Sequence, residues 1–251
     1  MPRALLLSAA VAAATAAARG GGALRAPAPP GQNFDLTNWK LQLPVAGKGG
    51  GVEEISQPQL RSYTSEYFQT DPATGGIAFW APINGATTSG SNYPRSELRE
   101  NIDFGFNSGT HVLNATVTVT QLPPGSKSIT IGQLHADGLS GSCSIIVELE
   151  YTDGDVVSHL RGAPSGSTCK GSSVTVGKAV PLGSPIHYSI TLSGDTVYVA
   201  TQSGAAPAYS YSWGKKSTSM YFKAGDYVQQ SGSSSTEGGR VILTALSTTH
   251  P

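Results

Sequence analysis

Over residues 111–120 the side chains alternate, with Leu113, Ala115, Val117 and Val119 on one face and Asn114, Thr116 and Thr118 on the other. A period of two predicts a strand with one face on a core and the other in water. Trp39, Leu41 and Leu43 repeat the pattern in a strand expected to end at Pro44. Apolar runs at 77–80, 144–151 and 241–246 predict further strands, and residues 187–192 and 196–200 flank Ser193-Gly194-Asp195, a hairpin signal. No stretch sustains the helical period of 3.6. Short strands punctuated by turns such as Pro123-Pro124-Gly125 and Thr152-Asp153-Gly154-Asp155 predict an all-β sandwich or jelly roll of antiparallel sheets. A curved sheet of that kind offers a concave groove to an extended chain ligand.

Three stretches place reactive groups where a packing strand would put none. In Tyr221-Phe222-Lys223-Ala224-Gly225-Asp226-Tyr227-Val228-Gln229, alternation turns Tyr221, Lys223, Tyr227 and Gln229 one way and Phe222, Ala224 and Val228 toward a core. In Arg95-Ser96-Glu97-Leu98-Arg99-Glu100 it puts two guanidiniums on either side of the Glu97 carboxylate. In Ile131-Gly132-Gln133-Leu134-His135 it pairs Gln133 with His135, opposite Leu134. One sheet carrying all three would display Arg, Gln, His, Lys and Tyr on a single face. That set suits binding a carboxylate and removing a proton beside it.

Composition narrows the partners. The 251 residues suffice for one large all-β domain, and 31 Gly with 16 Pro favour turns over helices. Only 13% of the residues are charged and the formal net charge is zero, so no overall field draws the chain to nucleic acid or a membrane. Arg3, the apolar run 4–18 and the small residues Ala16-Ala17-Ala18 predict an export signal over 1–18 and a secreted protein. That run is shorter and weaker than the roughly 20 apolar residues of a membrane span. Residues 19–31, rich in Gly, Ala and Pro, are expected to be a flexible leader before a single domain at 32–251. Cys143 and Cys169, the only cysteines, predict a disulfide closing a Ser/Gly-rich loop, and with no CxxC spacing they predict no metal site. Asn114-Ala115-Thr116 is a glycosylation sequon for a eukaryotic host.

In this order, Arg95-Ser96-Glu97-Leu98-Arg99, Gln133-Leu134-His135 and Tyr221 through Gln229 resemble the alginate lyases of polysaccharide lyase family 7, over roughly residues 33–246. The resemblance implies a concanavalin A-like β-jelly roll, endolytic β-elimination on alginate, an anionic polysaccharide, and no cofactor. Carried over by motif, Arg95, Gln133, His135 and Tyr227 match the catalytic positions. Arg99 and Lys223 match groove residues; Tyr221, Gln229 and Glu97 join them as substrate-binding candidates, Glu97 by holding the guanidiniums in place. A monomer is expected. The family carries Ile or Val where this chain has Leu134, a position linked to guluronate or mannuronate preference, and Asn where it has Val228.

The chemistry explains the set. Cleaving a 4-linked uronide by elimination removes the C5 proton next to a carboxylate that resists further negative charge. Arg95 answers with charge-assisted hydrogen bonds, to which Gln133 and His135 add donors. Tyr227 protonates the O4 leaving group, and its phenolate, favoured by Lys223 and Arg99, is expected to act as base where proton and leaving group share a side, as in mannuronate. His135 is the base for guluronate, where they are opposed. Lyase action on another polyuronate such as glucuronan keeps this mechanism; a carbohydrate-binding module on the same sandwich needs the groove without a proton-transfer tyrosine. His111, His159, His187 and His250 are expected to be structural, and Glu148 with Glu150 to form an exposed polar face.

Overall fold

The computed structural model describes residues 27–88, 90–137, 141–165, 168–210 and 219–251. The expected export signal and residues 19–26 of the leader lie outside them. In chain order the strands are β1 (Trp39–Ala46), β2 (Val52–Ile55), β3 (Phe68–Thr70), β4 (Ile77–Pro82), β5 (Arg95–Glu100) and β6 (Thr110–Gln121). There follow β7 (Ser128–Ala136), β8 (Ile145–Thr152), β9 (Asp155–Ser165), β10 (Thr168–Gly177) and β11 (Pro185–Ser193). The last are β12 (Thr196–Thr201), β13 (Gly204–Ala205), β14 (Tyr209–Ser210), β15 (Met220–Val228) and β16 (Gly238–Thr249). Among the described residues the one α-helical segment is the four-residue turn Pro30–Asn33.

Two eight-stranded sheets result. The first runs β10-β9-β8-β7-β15-β5-β1-β2; the second runs β13-β12-β11-β6-β16-β4-β3, with β14 beside β12. The chain changes sheet in the β2→β3, β4→β5, β5→β6, β6→β7, β10→β11, β14→β15 and β15→β16 connections, so strands distant in sequence become neighbours. This is the expected antiparallel jelly roll. Leu41, Leu98, Leu134, Phe222 and Ala224 of the first sheet pack against Phe79, Leu113, Val117, Val241 and Leu243 of the second, all fully buried. Each large apolar side chain so buried stabilises the fold by roughly 1.5–3 kcal/mol. Since one face of the first sheet is spent on this core, alternation leaves its other face for Arg95, Gln133, Lys223 and Tyr227.

Three local expectations change, and one tie between the sheets is new. β1 continues past Pro44 to Ala46, because its pairing with β5 stops at Gln42 and its register with β2 shifts between Gln42 and Ala46. The missing proline N–H therefore costs no ladder bond. The end of the expected leader is held in place: the Thr70 hydroxyl donates to the Ala28 carbonyl, Pro30 is buried and Gly31 packs on the Arg61 backbone. Cys143 and Cys169 do form the disulfide, but the segment they close contains β8 and the β9/β10 hairpin in place of a Ser/Gly-rich loop. Such a closure stabilises by about 3 kcal/mol. Gly132, finally, admits a tie between the sheets. The Tyr188 hydroxyl donates to the Ile131 carbonyl at 2.7 Å, and a Cβ at Gly132 would stand 2.6 Å from that hydroxyl oxygen.

The four other histidines take structural places. His111 stacks on Phe104 and shares a 2.9 Å hydrogen bond with His250, which meets the buried Glu100 at 2.9 Å. His159 pairs with Ser173 and His187 with Thr116. Asn114 is exposed on the outer face of the second sheet, beside His187 and Gln202.

Asp226, unlike the paired Glu100, is an acid turned into the core without a partner. It is fully buried, neither oxygen has a hydrogen-bond partner, and a Cβ on Gly239 would come 2.5 Å from its Oδ1. Burial raises its pKa far above the ordinary carboxylate range, and the nearby Ala81 amide offsets this only in part. A raised folded-state pKa means that stability is lost as pH rises through and above the unfolded value of about 3.9. Asp226→Asn is expected to raise the Tm at pH 7.5, by the equivalent of about 1–3 kcal/mol, and to leave it little changed at pH 3.5. Thermal unfolding at the two pH values checks this.

Candidate active site

The site follows from two strand registers. On β15 and β5, Tyr227 pairs with Arg95, Gly225 with Glu97 and Lys223 with Arg99. On β15 and β7, Lys223 pairs with Gln133 and Tyr221 with His135. Because paired residues share a face, all three sequence motifs arrive side by side. Gly225 makes room at the centre. Its φ is +146°, a region that L side chains rarely adopt, and a Cβ there would stand 2.8 Å from the Ser96 carbonyl oxygen and 2.9 Å from Glu97 Cα. At the same point β15 bulges against β7, between Ala224 and Tyr227.

Into that gap goes Glu97, with no exposed surface. Arg95 Nη1 donates to its Oε2 at 3.0 Å, Lys223 Nζ lies 2.6 Å from the same oxygen, and Gln133 Nε2 donates to Oε1. Burial opposes its charge, but Lys223 and Arg95 together hold its pKa below the usual value, so Glu97 is ionised. Lys223 responds oppositely: burial and Arg95 outweigh the carboxylate and bring it down to about 8. Glu97 thus holds Arg95 as expected, but its other partners are Lys223 and Gln133. Arg99 is held elsewhere, by Asp137 Oδ2 at 3.1 Å and the Glu100 carbonyl. With its oxygens occupied and no surface, Glu97 organises the groups that face a ligand and does not meet one itself.

Two guanidiniums lie on two phenols. Arg95 Cζ is 3.8 Å from the Tyr227 ring centroid and Arg99 Cζ 3.7 Å from that of Tyr221. Ser91, in the loop before β5, joins the first pair: its Oγ accepts from Arg95 Nη2 at 2.7 Å and lies 2.9 Å from the Tyr227 hydroxyl. Arg95 Nε is buried without a hydrogen-bond partner. Tyr227 keeps its proton, because burial raises its pKa more than Arg95 and Ser91 lower it. The expectation that Lys223 and Arg99 favour the phenolate is therefore reversed. His135 is neutral, driven down to about 3 by burial and then by Lys223 and Arg95; its Nδ1 lies 3.0 Å from the Tyr221 hydroxyl. What results is a protonated phenol, a neutral imidazole and a fixed guanidinium on one face.

The structure thus gathers Arg95, Gln133, His135, Tyr227, Arg99, Lys223 and Tyr221. Gln229 lies past the cluster, its amide donating to Thr130 Oγ1 and the Tyr227 carbonyl. Leu134 and Val228 face the core, fully buried. Glu148 departs from its expected exposure: it is buried on the same outer face, paired across strands with Gln133, and 3.4 Å from Arg161. Burial and Glu150 raise its pKa. Ser91 and Asp137 escaped the sequence reading, since a serine four residues before Arg95 and an aspartate two after His135 carry no signal of their own. No group of three or more metal-ligating side chains occurs among the described residues.

A two-sheet jelly roll with this outer face is the architecture of a polysaccharide lyase. A sequence model of the family described as alginate lyase matches residues 34–250, and the chain belongs to that family. Among solved structures it is similar to alginate lyase A1-II′, a member of polysaccharide lyase family 7, with 33% identity, a TM-score of 0.76, and coverage of 89% of this chain and 99% of that one. Alginate lyase PA1167 from Pseudomonas aeruginosa is 33% identical, with a TM-score of 0.77 over 87% of this chain and 100% of the other. A variant of A1-II′ in complex with the substrate GGMG superposes with a TM-score of 0.74, at 33% identity over 89% and 97% of the two chains. A curated alginate lyase of Klebsiella pneumoniae is 42% identical over 80 residues, a match spanning 30% of this chain and 26% of that relative.

Removing Glu97 leaves Arg95 and Lys223 as buried charges without their counter-ion. Glu97→Ala is expected to cost on the order of 3–5 kcal/mol in denaturant unfolding at pH 7. Because its folded-state pKa is depressed, the wild-type contribution is present above the unfolded value of about 4.3 and is lost as pH falls below it. The difference between the two proteins is expected to shrink toward pH 3.

Proposed function

We propose that this chain is a secreted, monomeric lyase that cleaves alginate internally by β-elimination, leaving an unsaturated uronate at the new non-reducing end. The observation that carries the reading is the convergence of an Arg95 guanidinium fixed by Glu97 and Ser91, a neutral His135 and a protonated Tyr227 on one face. Family membership and the substrate complex of a relative support it. The basic-then-apolar start of the chain and the Cys143–Cys169 disulfide support export. Charged side chains flank the cluster on both sides, Lys40 and Glu54 beyond β5, and Glu148 and Arg161 beyond β7, which supports binding along a chain and cutting within it.

The reaction assigns each group one task. Arg95 gives charge-assisted hydrogen bonds to the uronate carboxylate and stabilises the charge that builds up as the C5 proton leaves. Gln133, held by Glu97, adds an amide beside it. His135 takes the C5 proton. The C5–H electron pair forms the C4=C5 double bond, the C4–O4 bond breaks, and Tyr227 delivers its proton to O4. A Tyr227 that stays protonated suits elimination with base and acid on opposite sides, the guluronate case. Polyguluronate is therefore the expected faster block.

The test is ultraviolet absorbance of unsaturated ends on polyguluronate, polymannuronate and glucuronan, each in its own cuvette. A rise on alginate blocks that Tyr227→Phe reduces on the order of 100-fold or more is the expected result. No rise on any substrate, with polysaccharide binding retained, overturns the reading. Ser91→Ala, which removes one hydrogen bond to the phenol and one from Arg95, is expected to lower kcat about two- to tenfold, the equivalent of about 0.5–1.5 kcal/mol. Ser91→Thr is expected to restore it.

A further inference from the structure

A neutral imidazole has one N–H, and which nitrogen carries it decides whether His135 Nε2 is a base or a donor. Two neighbours settle the matter. The Tyr221 hydroxyl lies 3.0 Å from His135 Nδ1 and 3.3 Å from Asp137 Oδ1, and it has a single proton to share between them. The Asp137 carboxylate can only accept. Its orientation is set from the other side, where Arg99 Nη2 donates to Oδ2 at 3.1 Å while the Arg99 guanidinium covers the Tyr221 ring. The Tyr221 proton therefore belongs on the Asp137 side; given to Nδ1 instead, it would leave the phenol oxygen facing a carboxylate oxygen with no hydrogen between them. With that proton committed, the phenol oxygen accepts, and Nδ1 must be the nitrogen that donates.

We propose that Asp137 and Tyr221 form a positioning relay that locks His135 as the Nδ1–H tautomer and leaves the Nε2 lone pair free to take a proton. The order is Asp137 Oδ1 accepting from Tyr221 O–H, and Tyr221 O accepting from His135 Nδ1–H. The protonation states agree with it: Tyr221 is pushed up to about 12, chiefly by burial and then by Asp137, and so keeps its proton, while His135 is neutral. The relay has a consequence for the catalytic assignment. A locked Nδ1–H tautomer cannot also donate from Nε2 to the substrate carboxylate, so charge neutralisation falls to Arg95 and Gln133, and His135 acts as base alone. This consequence rests on the lyase reading; the tautomer does not.

The two are separable by experiment. Two-bond 1H–15N correlation spectra of the uniformly 15N-labelled protein at pH 7 report which ring nitrogen of each histidine is protonated, and the His135 signals are those missing from His135→Gln. The expected wild-type spectrum has a protonated Nδ1 and a bare Nε2. Asp137→Ala and Tyr221→Phe, each removing one link, are expected to move His135 to a predominantly Nε2–H form. Asp137 is exposed, so its truncation spares the core. A wild-type His135 that is Nε2–H or doubly protonated, or variants that leave the tautomer unchanged, would overturn the relay whether or not the protein cleaves alginate. On polyguluronate, Asp137→Ala is expected to lower kcat on the order of tenfold or more with KM within about twofold. A change confined to KM would reduce Asp137 to a binding role and overturn the positioning assignment.

Discussion

The candidate site depends on one buried carboxylate. Glu97 has no contact with solvent, yet it is ionised, and three side chains from two other strands and its own converge on it: Arg95, Lys223 and Gln133. A charge in that position is tolerated only when its partners are complete, because the cost of taking it out of water is offset by pairing and hydrogen bonds together. The same requirement works in reverse on the partners. Arg95 and Lys223 are themselves buried, and each is held where the carboxylate needs it. A group that never meets a ligand thereby fixes the positions of those that do.

Backbone geometry makes the arrangement possible. Gly225 stands opposite Glu97 in the β15/β5 register, and its positive φ together with the bulge against β7 opens the space between Lys223 and Tyr227 that the carboxylate occupies. Any larger residue would press on the Ser96 carbonyl and Glu97 Cα, displacing the strand that carries Arg95. Beneath this face, Leu98, Leu134, Phe222 and Ala224 anchor the same three strands to the opposite sheet. The precision of the outer face is a product of the packing of the inner one.

Burial also decides the protonation states, and not always in the direction that nearby charge suggests. Cations near Tyr227 favour a phenolate, but desolvation is the larger effect and keeps the proton on. Lys223 is brought down although it touches a carboxylate, and His135 is neutral because its surroundings are both dry and cationic. An acid, a base and a fixed positive charge coexist within one small area because each is set by its own environment.

Much of this was legible in the chain itself. Alternation at Leu113 to Val119 and at Trp39 to Leu43 identified strands and their inner faces, since the side-chain period of a strand is local geometry. The three motifs already contained Arg95, Gln133, His135 and Tyr227, and the two cysteines their own pairing. Period alone could not show that Glu97 is a buried hub, that Arg99 answers to Asp137 in place of Glu97, that Glu148 is covered, or that Ser91 touches Tyr227. Those contacts join residues up to 136 positions apart, and they depend on which strands become neighbours and where β15 bulges. Nor could it show that Tyr227 stays protonated, because desolvation is a property of the assembled sandwich. The sequence by itself determined which residues face outward and what chemistry they carry; only the tertiary structure decided which of them touch and which hold their protons, because register and burial exist only once the sheets have formed.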